Sequence, residues 1–458
     1  MPVKRQHIHL IGIGGTGLSA IAKVLLEQGH IVSGSDMYRS PLASSIEKAG
    51  ATVFIGHDAG NIAGAEVVIV SSAIPKTNPE LVGAHEAGIP VYKRSAFLKE
   101  WLVGQDCLAV AGTHGKTTTT SMLAWTLDAL HKDPSYIIGS VAKNLGTNAH
   151  AGKGAYFVIE ADEYDYMFHG LRPTVAIVTN MQHDHPDCFH TMNIYRQAFI
   201  DFTNQIVPGG HLILCADDVE AAGLHKTIRP DIHVHSYGFS KGADYQITSG
   251  PASNTFDFDI THLGEKFTSL HLEIAGQHNA LNATAVLATV HQLGLNIDQS
   301  TDALAHFQGS ERRFDVLGTF NGVTLIDDYA HHPTEIKATL SAARQSFPEA
   351  RIWVVWQPHT FSRTITLLEQ FISAFHDADI VLITDVYAAR ESNDSFSGQH
   401  LADQIQHSNV HFTPGLDDAV NHLSSHTEPG DVVVVCSAGS AISINQQLSK
   451  LLDQKGAA

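Results

Sequence analysis

Short apolar runs alternate with amphipathic stretches along most of the chain. Residues 7–13 form an apolar run of strand length that ends in a glycine-rich turn. Leu18, Ile21, Ala22 and Leu25 then recur at helical spacing, and Gly29 stands where a helix stops. Residues 31–35 and 67–70 are further runs of strand length, so the opening segment predicts βαβ units on a parallel sheet. The pattern runs out near 101–106 and starts again with a strand at 107–111 and a second glycine loop. Met122, Leu123, Thr126, Leu127 and Leu130 mark one helical face. Residues 156–160, 174–179 and 211–215 are almost continuously apolar, as strands covered on both faces are. From about 245 to 274 polar and apolar residues alternate, which predicts an antiparallel hairpin extension.

A third cycle begins near Arg313. Strands are predicted at 323–326, 351–356, 380–384 and 432–436, with Ile336, Leu340 and Ala343 on a helix between them. There is no short repeat, but the βα pattern restarts with each segment. The expected architecture is three α/β domains over residues 1–104, 105–311 and 312–458. The first and third read as Rossmann-like, and the central one as P-loop ATPase-like with a parallel sheet.

Composition narrows the function. The 458 residues carry 28 Lys and Arg against 47 Asp and Glu, a net charge of −19. Such a surface repels nucleic acid and anionic membrane, so neither is expected as a partner. Cys107, Cys188, Cys215 and Cys436 are far apart and form no C-x-x-C, which predicts reduced thiols and a reducing compartment. No apolar stretch reaches membrane-spanning length, and the N-terminal apolar patch runs straight into a turn, as a first strand does. A cytoplasmic protein is expected, with monomer and homodimer both open.

Two glycine loops carry the candidate chemistry. Gly12-Ile13-Gly14-Gly15-Thr16-Gly17 lies between a strand and a helix, and Asp36 follows the second strand at the spacing of a ribose contact. A nicotinamide dinucleotide and a uridine diphosphate sugar would both suit it, and so would a plain connecting turn. Gly112-Thr113-His114-Gly115-Lys116-Thr117 is a shortened phosphate loop, with Val110 where the strict pattern has glycine. Its N–H groups can cradle phosphates, Lys116 can reach the β- and γ-oxygens, and the Thr117 hydroxyl can ligate Mg²⁺. Thr118 continues the threonine run into the helix. Metal ligands for ATP chemistry belong at the ends of neighbouring strands, where Glu160-Ala161-Asp162-Glu163 and Asn180-Met181-Gln182-His183-Asp184-His185 lie. Mg²⁺ prefers oxygen, so His183 and His185 read equally well as loop residues, and a Zn²⁺ site would want a third ligand.

Taken in order, the chain resembles the Mur ligases of peptidoglycan synthesis over nearly its whole length. The resemblance rests on the 112–117 loop, Glu160-Ala161-Asp162-Glu163, Thr179-Asn180 with Asp184-His185, and Gly276-Gln277-His278-Asn279 with Asn282. Arg312-Arg313-Phe314 and Asp327-Asp328-Tyr329-Ala330-His331-His332-Pro333-Thr334-Glu335 complete it. It implies an ATP- and Mg²⁺-dependent ligase that activates a carboxylate as an acyl phosphate. Gly12, Gly14, Gly15, Thr16, Gly17, Asp36, Ser71, Ser72 and Ala73 would shape a uridine diphosphate site. Gly112, Thr113, His114, Gly115, Lys116, Thr117 and Thr118 would hold ATP phosphates, with His278, Asn279 and Asn282 near the nucleotide and Arg313 and Asp327 reaching over from the third domain. Thr117, Glu160 and His185 would hold Mg²⁺. Tyr329, His332, His359 and Arg363 would line an amino-acid pocket.

Within the family, the 9–15 and 33–36 stretches and Gln357-Pro358-His359 with Ser362-Arg363-Thr364 imply UDP-N-acetylmuramate and L-alanine as substrates. Recycling ligases that attach a whole tripeptide to the same sugar nucleotide share the first loop and the 327–335 motif. Thr360 stands where members often carry Arg, which removes a cation from the pocket, and Tyr164-Asp165-Tyr166 also departs from the commoner pattern. Lys116, Glu160 and His185 are the expected catalytic centre. His332 or His359 could take the amine proton, or could simply hydrogen-bond. Arg363 could grip the alanine carboxylate, or be an ordinary surface arginine. A nicotinamide oxidoreductase would leave the second loop unexplained, and a nucleotide-dependent switch is the other competing class.

Overall fold

The computed structural model describes residues 5–249, 256–389, 391 and 396–456. Three sheets follow one another along the chain. The first is parallel, in the order Thr52–Ile55, Ile31–Asp36, His7–Ile11, Val67–Val70, Val91–Lys93. Helix Thr16–Glu27 buries Leu18, Ile21, Ala22, Val24 and Leu25 and ends before Gly29, whose φ of +86° takes the chain into its turn. The first strand is two residues shorter than its apolar run. Gly12 turns out of the sheet at φ +90°, and the N–H groups of Gly12 and Ile13 both donate to Ser35 O.

The second sheet has ten strands. Its centre places Asp106–Ala111 between Val175–Val178 and Tyr156–Glu160, all parallel. This adjacency brings the phosphate loop, the 160–163 carboxylates and the 179–185 loop to one edge. At one end Tyr245–Ser249, Asp257–His262 and Glu265–His271 pair antiparallel, as the alternation predicts, although its residues 250–255 lie outside those described. The other end adds an unexpected pairing of Ser135–Ala142 with Thr147–His150. Thr147-Asn148-Ala149-His150 is too polar to read as a strand, and only tertiary pairing makes it one.

The third sheet runs Asp315–Phe320, Val323–Asp328, Val432–Cys436, Ile352–Trp356, Ile380–Ile383, Val410–Phe412. It is parallel except at Asp315–Phe320, an antiparallel edge strand unmarked in the sequence. The fully buried Trp356 anchors its core, stacked on Phe371 with ring centroids 4.5 Å apart. All four cysteines are free thiols. Among the described residues no helix is long and apolar enough to cross a membrane.

Beneath the first glycine loop lies a buried carboxylate. Glu80, at the start of helix Pro79–Glu86, is fully buried. It accepts from Ser35 Oγ and Asn61 Nδ2, and lies 3.1 Å from His57 Nδ1 and 3.8 Å from His9 Nε2. Burial alone would raise this carboxyl, but hydrogen bonds from His9, Ser35, Asn61 and His57 prevail and hold it at about 2. Its pKa is therefore depressed on folding. The stability it contributes is complete above its ordinary 4.5 and is lost as pH falls toward about 2. That loss should total about 3 kcal/mol. Urea denaturation between pH 5 and 3 should show a weaker acid dependence for Glu80→Gln than for the parent, and equal slopes would refute the assignment.

Candidate active site

The second glycine loop has a geometry only glycine permits. Gly112 sits at φ +135°, and a Cβ there would collide with Thr179 Oγ1. Asn180 clamps the loop: its Oδ1 accepts from His114 N at 2.8 Å and its Nδ2 donates to His114 O at 3.0 Å. Gly115, at φ +81°, starts helix Lys116–Ala129 with no capping side chain, so the first N–H groups of that helix are available to an anion.

Lys116 does not extend into open space. Its ammonium donates to Thr113 O at 3.2 Å and to both Glu163 oxygens at 3.0 and 2.8 Å. Glu163 is fully buried and also accepts from Tyr195 OH at 3.1 Å. Burial would lower the Lys116 pKa, but Glu163, Asp162 and Glu160 around it push it up. Glu160 accepts from Thr117 Oγ1 at 3.1 Å and from Gly139 N at 2.8 Å. Burial raises its carboxyl against the pull of Lys116 and Arg313, so it is a carboxylate short of positive charge.

These oxygens suit Mg²⁺. The Thr117 hydroxyl and the Glu160 carboxylate are hard donors already side by side, and His185 lines the same cleft. His183 does not contribute, because its Nε2 is bonded to Phe189 O at 2.6 Å. Among the described residues no three His, Cys, Asp or Glu form a ready-made metal cage.

Two clefts meet here. The larger, about 490 Å³, runs between the central and third sheets past His114, Thr118, His278, Asn279, Asn282 and Asp328. The smaller, about 400 Å³, runs from Thr16, Gly17 and Arg94 past Lys116, Glu160 and His185 to Tyr329, His331, His359 and Arg363. Gly115, Thr117, Arg313 and Glu335 line both. Arg313 reaches over from the third segment, with its Nη2 3.3 Å from Thr117 Oγ1. The contact between segments is reinforced by His114 Nδ1 to Glu335 Oε1 at 3.1 Å and by Thr334 Oγ1 to Gln182 Oε1 at 2.7 Å.

Two expected residues do not sit as predicted. Asp327 lines neither cleft; strand alternation turns it away to accept from Arg312 Nε at 3.2 Å. Asp328 faces the larger cleft instead, accepts from Phe314 N and Ala330 N, and is raised to about 6 by burial. His332 also lines neither cleft. It is buried as the N-cap of helix Pro333–Ser346, its Nδ1 accepting from Thr334 N at 3.2 Å. The imidazole in the smaller cleft is that of His331. Arg363 is a buried partner of Asp184, its Nε donating to Oδ1 at 2.8 Å, and its Nη1 donates to His359 Nδ1 at 3.1 Å. Burial drives His331 to about 3 and His359 to about 4, which leaves both weak as bases.

The first glycine loop reaches the smaller cleft only through Thr16 and Gly17. Gly14 N donates to Asp36 Oδ2 at 2.9 Å, so Asp36 holds the loop itself. Gly12 packs against Ser71, while Gly15 N closes the turn onto Gly12 O. Ser72 and Ala73 are exposed beside it. Sequence reasoning missed Arg94, Glu163 and Tyr195. Glu163 lay inside a motif already noted, whereas nothing near Tyr195 in sequence marks it as a partner of the loop.

A three-layered succession of α/β units, with a phosphate loop at the joint, defines a class of nucleotide-using multidomain enzyme folds. The model of the Mur ligase family catalytic domain matches residues 7–105, that of the Mur ligase middle domain 110–290, and that of the Mur ligase glutamate ligase domain 312–439. The chain belongs to the Mur ligase family. The UDP-N-acetylmuramate–L-alanine ligase of Geobacter sp. (strain M21) is 40% identical, over 97% of each chain. The enzyme of that name from Roseiflexus sp. (strain RS-1) is 40% identical over 98% of this chain and 100% of its own. Among solved structures, the UDP-N-acetylmuramate–alanine ligase of Thermotoga maritima matches at a TM-score of 0.84 with 28% identity, covering 98% of this chain and 100% of its own. A murein peptide ligase of Psychrobacter arcticus matches at 0.73 with 26% identity, covering 98% and 99%.

The Asp184–Arg363 pair is buried on both sides and joins two segments. Arg363→Met should leave the buried Asp184 carboxylate without its guanidinium, with only His185 beside it, and cost about 3 kcal/mol. The double variant Asp184→Asn with Arg363→Met should recover part of that loss. Denaturation midpoints of the four proteins give the coupling, and strictly additive changes would show the pair to be inert.

Proposed function

We propose that this chain joins the amine of L-alanine to the carboxylate of UDP-N-acetylmuramate, with ATP as phosphoryl donor and Mg²⁺ as cofactor. The observation that carries the reading is the meeting of two clefts at Thr117, Arg313 and Glu335. One is open toward a nucleotide and the other runs back to the first glycine loop. Segment 1–104 takes the sugar nucleotide, 105–311 takes ATP, and 312–458 closes over both with the amino-acid pocket. The reaction belongs in the cytoplasm, where ATP is at hand.

In this mechanism the triphosphate rests on the free N–H groups at the start of helix Lys116–Ala129. The muramyl carboxylate arrives through the smaller cleft, and its oxygen attacks the γ-phosphorus. The bond to the ADP oxygen breaks, leaving acyl phosphate and ADP. The alanine nitrogen then attacks the acyl carbon as the free amine, phosphate leaves through a tetrahedral intermediate, and the surplus amine proton leaves with that phosphate. Two anions must meet in the first step, so positioning and charge neutralisation carry the catalysis. Lys116 and Arg313 supply fixed positive charge at the junction. Mg²⁺ held by Thr117, Glu160 and His185 would neutralise phosphate oxygens. His331 and His359 are too weakly basic to be good acceptors for the amine proton, and serve better to line the pocket and fix Arg363.

Phosphate release with Mg-ATP and UDP-N-acetylmuramate should require L-alanine and should be slower with glycine, L-serine or a tripeptide. A preference for the tripeptide would move the chain to the recycling reaction. Release indifferent to sugar nucleotide and amino acid would make it a switch, and NADH binding without ATP hydrolysis an oxidoreductase. Lys116→Ala should abolish turnover while UDP-N-acetylmuramate still binds. That change strands Glu163, so the double variant with Glu163→Gln should restore thermal stability but not activity. Near-normal turnover in either variant would refute the role of Lys116.

A further inference from the structure

The first glycine loop contains no cation, and a helix N-terminus supplies only about half a unit of positive charge, so a cation beside it would add to its hold on a diphosphate. Arg94 lies directly against it. This residue opens helix Arg94–Trp101, and a Cβ added to Gly17 would collide with its Nη1. Its guanidinium therefore covers the first turn of helix Thr16–Glu27, inside the smaller cleft. On its other side Nη2 donates to Asp162 Oδ2 at 2.8 Å.

The other cations of that cleft are committed elsewhere. Lys116 is held by Glu163, Arg312 by Asp327 and Arg363 by Asp184, and in each case the carboxylate is nearly or fully buried. Arg313 stands over Thr117. The Arg94–Asp162 pair is different, with side chains 24% and 35% exposed. A pair with water at its edge is weaker than a fully buried one and can be exchanged for a better partner. An arginine also matches two phosphate oxygens at once, which an ammonium does not.

We infer that Arg94 is the diphosphate-binding residue for the sugar nucleotide, and that Asp162 holds it in place and yields it when the ligand arrives. The inference rests on the functional reading above, and it names a residue that the glycine motif does not contain. It also gives the two phosphate sites a direct connection, because Asp162 lies between Glu160 and Glu163 on the strand end beside the phosphate loop.

Calorimetric binding of UDP and of uridine, without ATP, separates the diphosphate from the base and sugar. Arg94→Ala should weaken UDP by about tenfold or more and leave uridine unchanged, with Arg94→Lys between them. Asp162→Asn removes the competitor and should tighten UDP. In turnover, Arg94→Ala should raise KM for UDP-N-acetylmuramate while KM for ATP stays within about threefold of the parent. Unchanged UDP affinity in Arg94→Ala would overturn the inference. So would equal weakening of UDP and uridine, which marks a merely structural arginine, or a rise confined to KM for ATP. If the parent releases no phosphate with UDP-N-acetylmuramate and L-alanine, the functional reading fails. The UDP and uridine comparison reports on Arg94 independently of that outcome.

Discussion

A chain of net charge −19 that brings two polyanions together depends on keeping a few cations inside one cleft. Buried charge is costly unless it is paired, so the protein pairs each cation before any ligand arrives. The Lys116–Glu163 pair sets the pattern. Glu163 fixes the ammonium against the loop, Tyr195 fixes Glu163 in turn, and Thr113 holds Tyr195. Arg363 and Asp184 repeat the arrangement between segments, and Arg94 and Asp162 repeat it at the sugar-nucleotide side. The charged groups lining the smaller cleft nearly balance, and in the proposed reaction an incoming phosphate would replace a carboxylate instead of meeting bare charge.

The sheet order makes this pairing possible. Asp106–Ala111 carries the phosphate loop, and its neighbour Tyr156–Glu160 delivers three carboxyl groups within four residues. Its other neighbour, Val175–Val178, delivers Asn180, Asp184 and His185. Parallel strands with crossovers put all of these at the same edge, where ligands bind in such sheets. The third segment needs only Arg313 and Glu335 to reach that edge, and both are close to its first and second strands in sequence.

Periodicity made most of the buried strands legible. Runs such as 211–215 and 432–436 are almost continuously apolar and became strands with those bounds. What it missed were edges: Thr147–His150 and Asp315–Phe320 are half-polar, and pairing alone defines them. At the site, backbone motifs were legible because glycine spacing encodes a turn, as at Gly112 and Gly115. Side-chain direction was not. Adjacent residues in a motif point opposite ways, so Asp327 and Asp328, or His331 and His332, cannot be told apart without the strand parity and the helix cap that sort them. Long-range partners such as Arg94 or Tyr195 have no local signal at all.

Backbone strain at the site was equally hidden. Of the eleven described non-glycine residues with positive φ, His185 and Arg312 line the smaller cleft and Thr360 follows His359 in its wall, at +52°, +58° and +64°. Arginine and β-branched threonine adopt this conformation poorly and histidine more readily, at a cost on the order of 1 kcal/mol each. Each is also held by its neighbours. His185 O accepts from the N–H groups of Cys188 and Phe189, Arg312 is tied to Asp315, Asp327 and Ser437, and Thr360 N donates to Tyr387 O. At 360 the fixed backbone follows directly on His359, which lines the smaller cleft together with Arg363. The guanidinium of Arg363 is already shared with Asp184 and His359. In the proposed reaction, a guanidinium shared in this way leaves only part of its donor edge to an amino-acid carboxylate, and that favours an amine partner small enough to approach it closely.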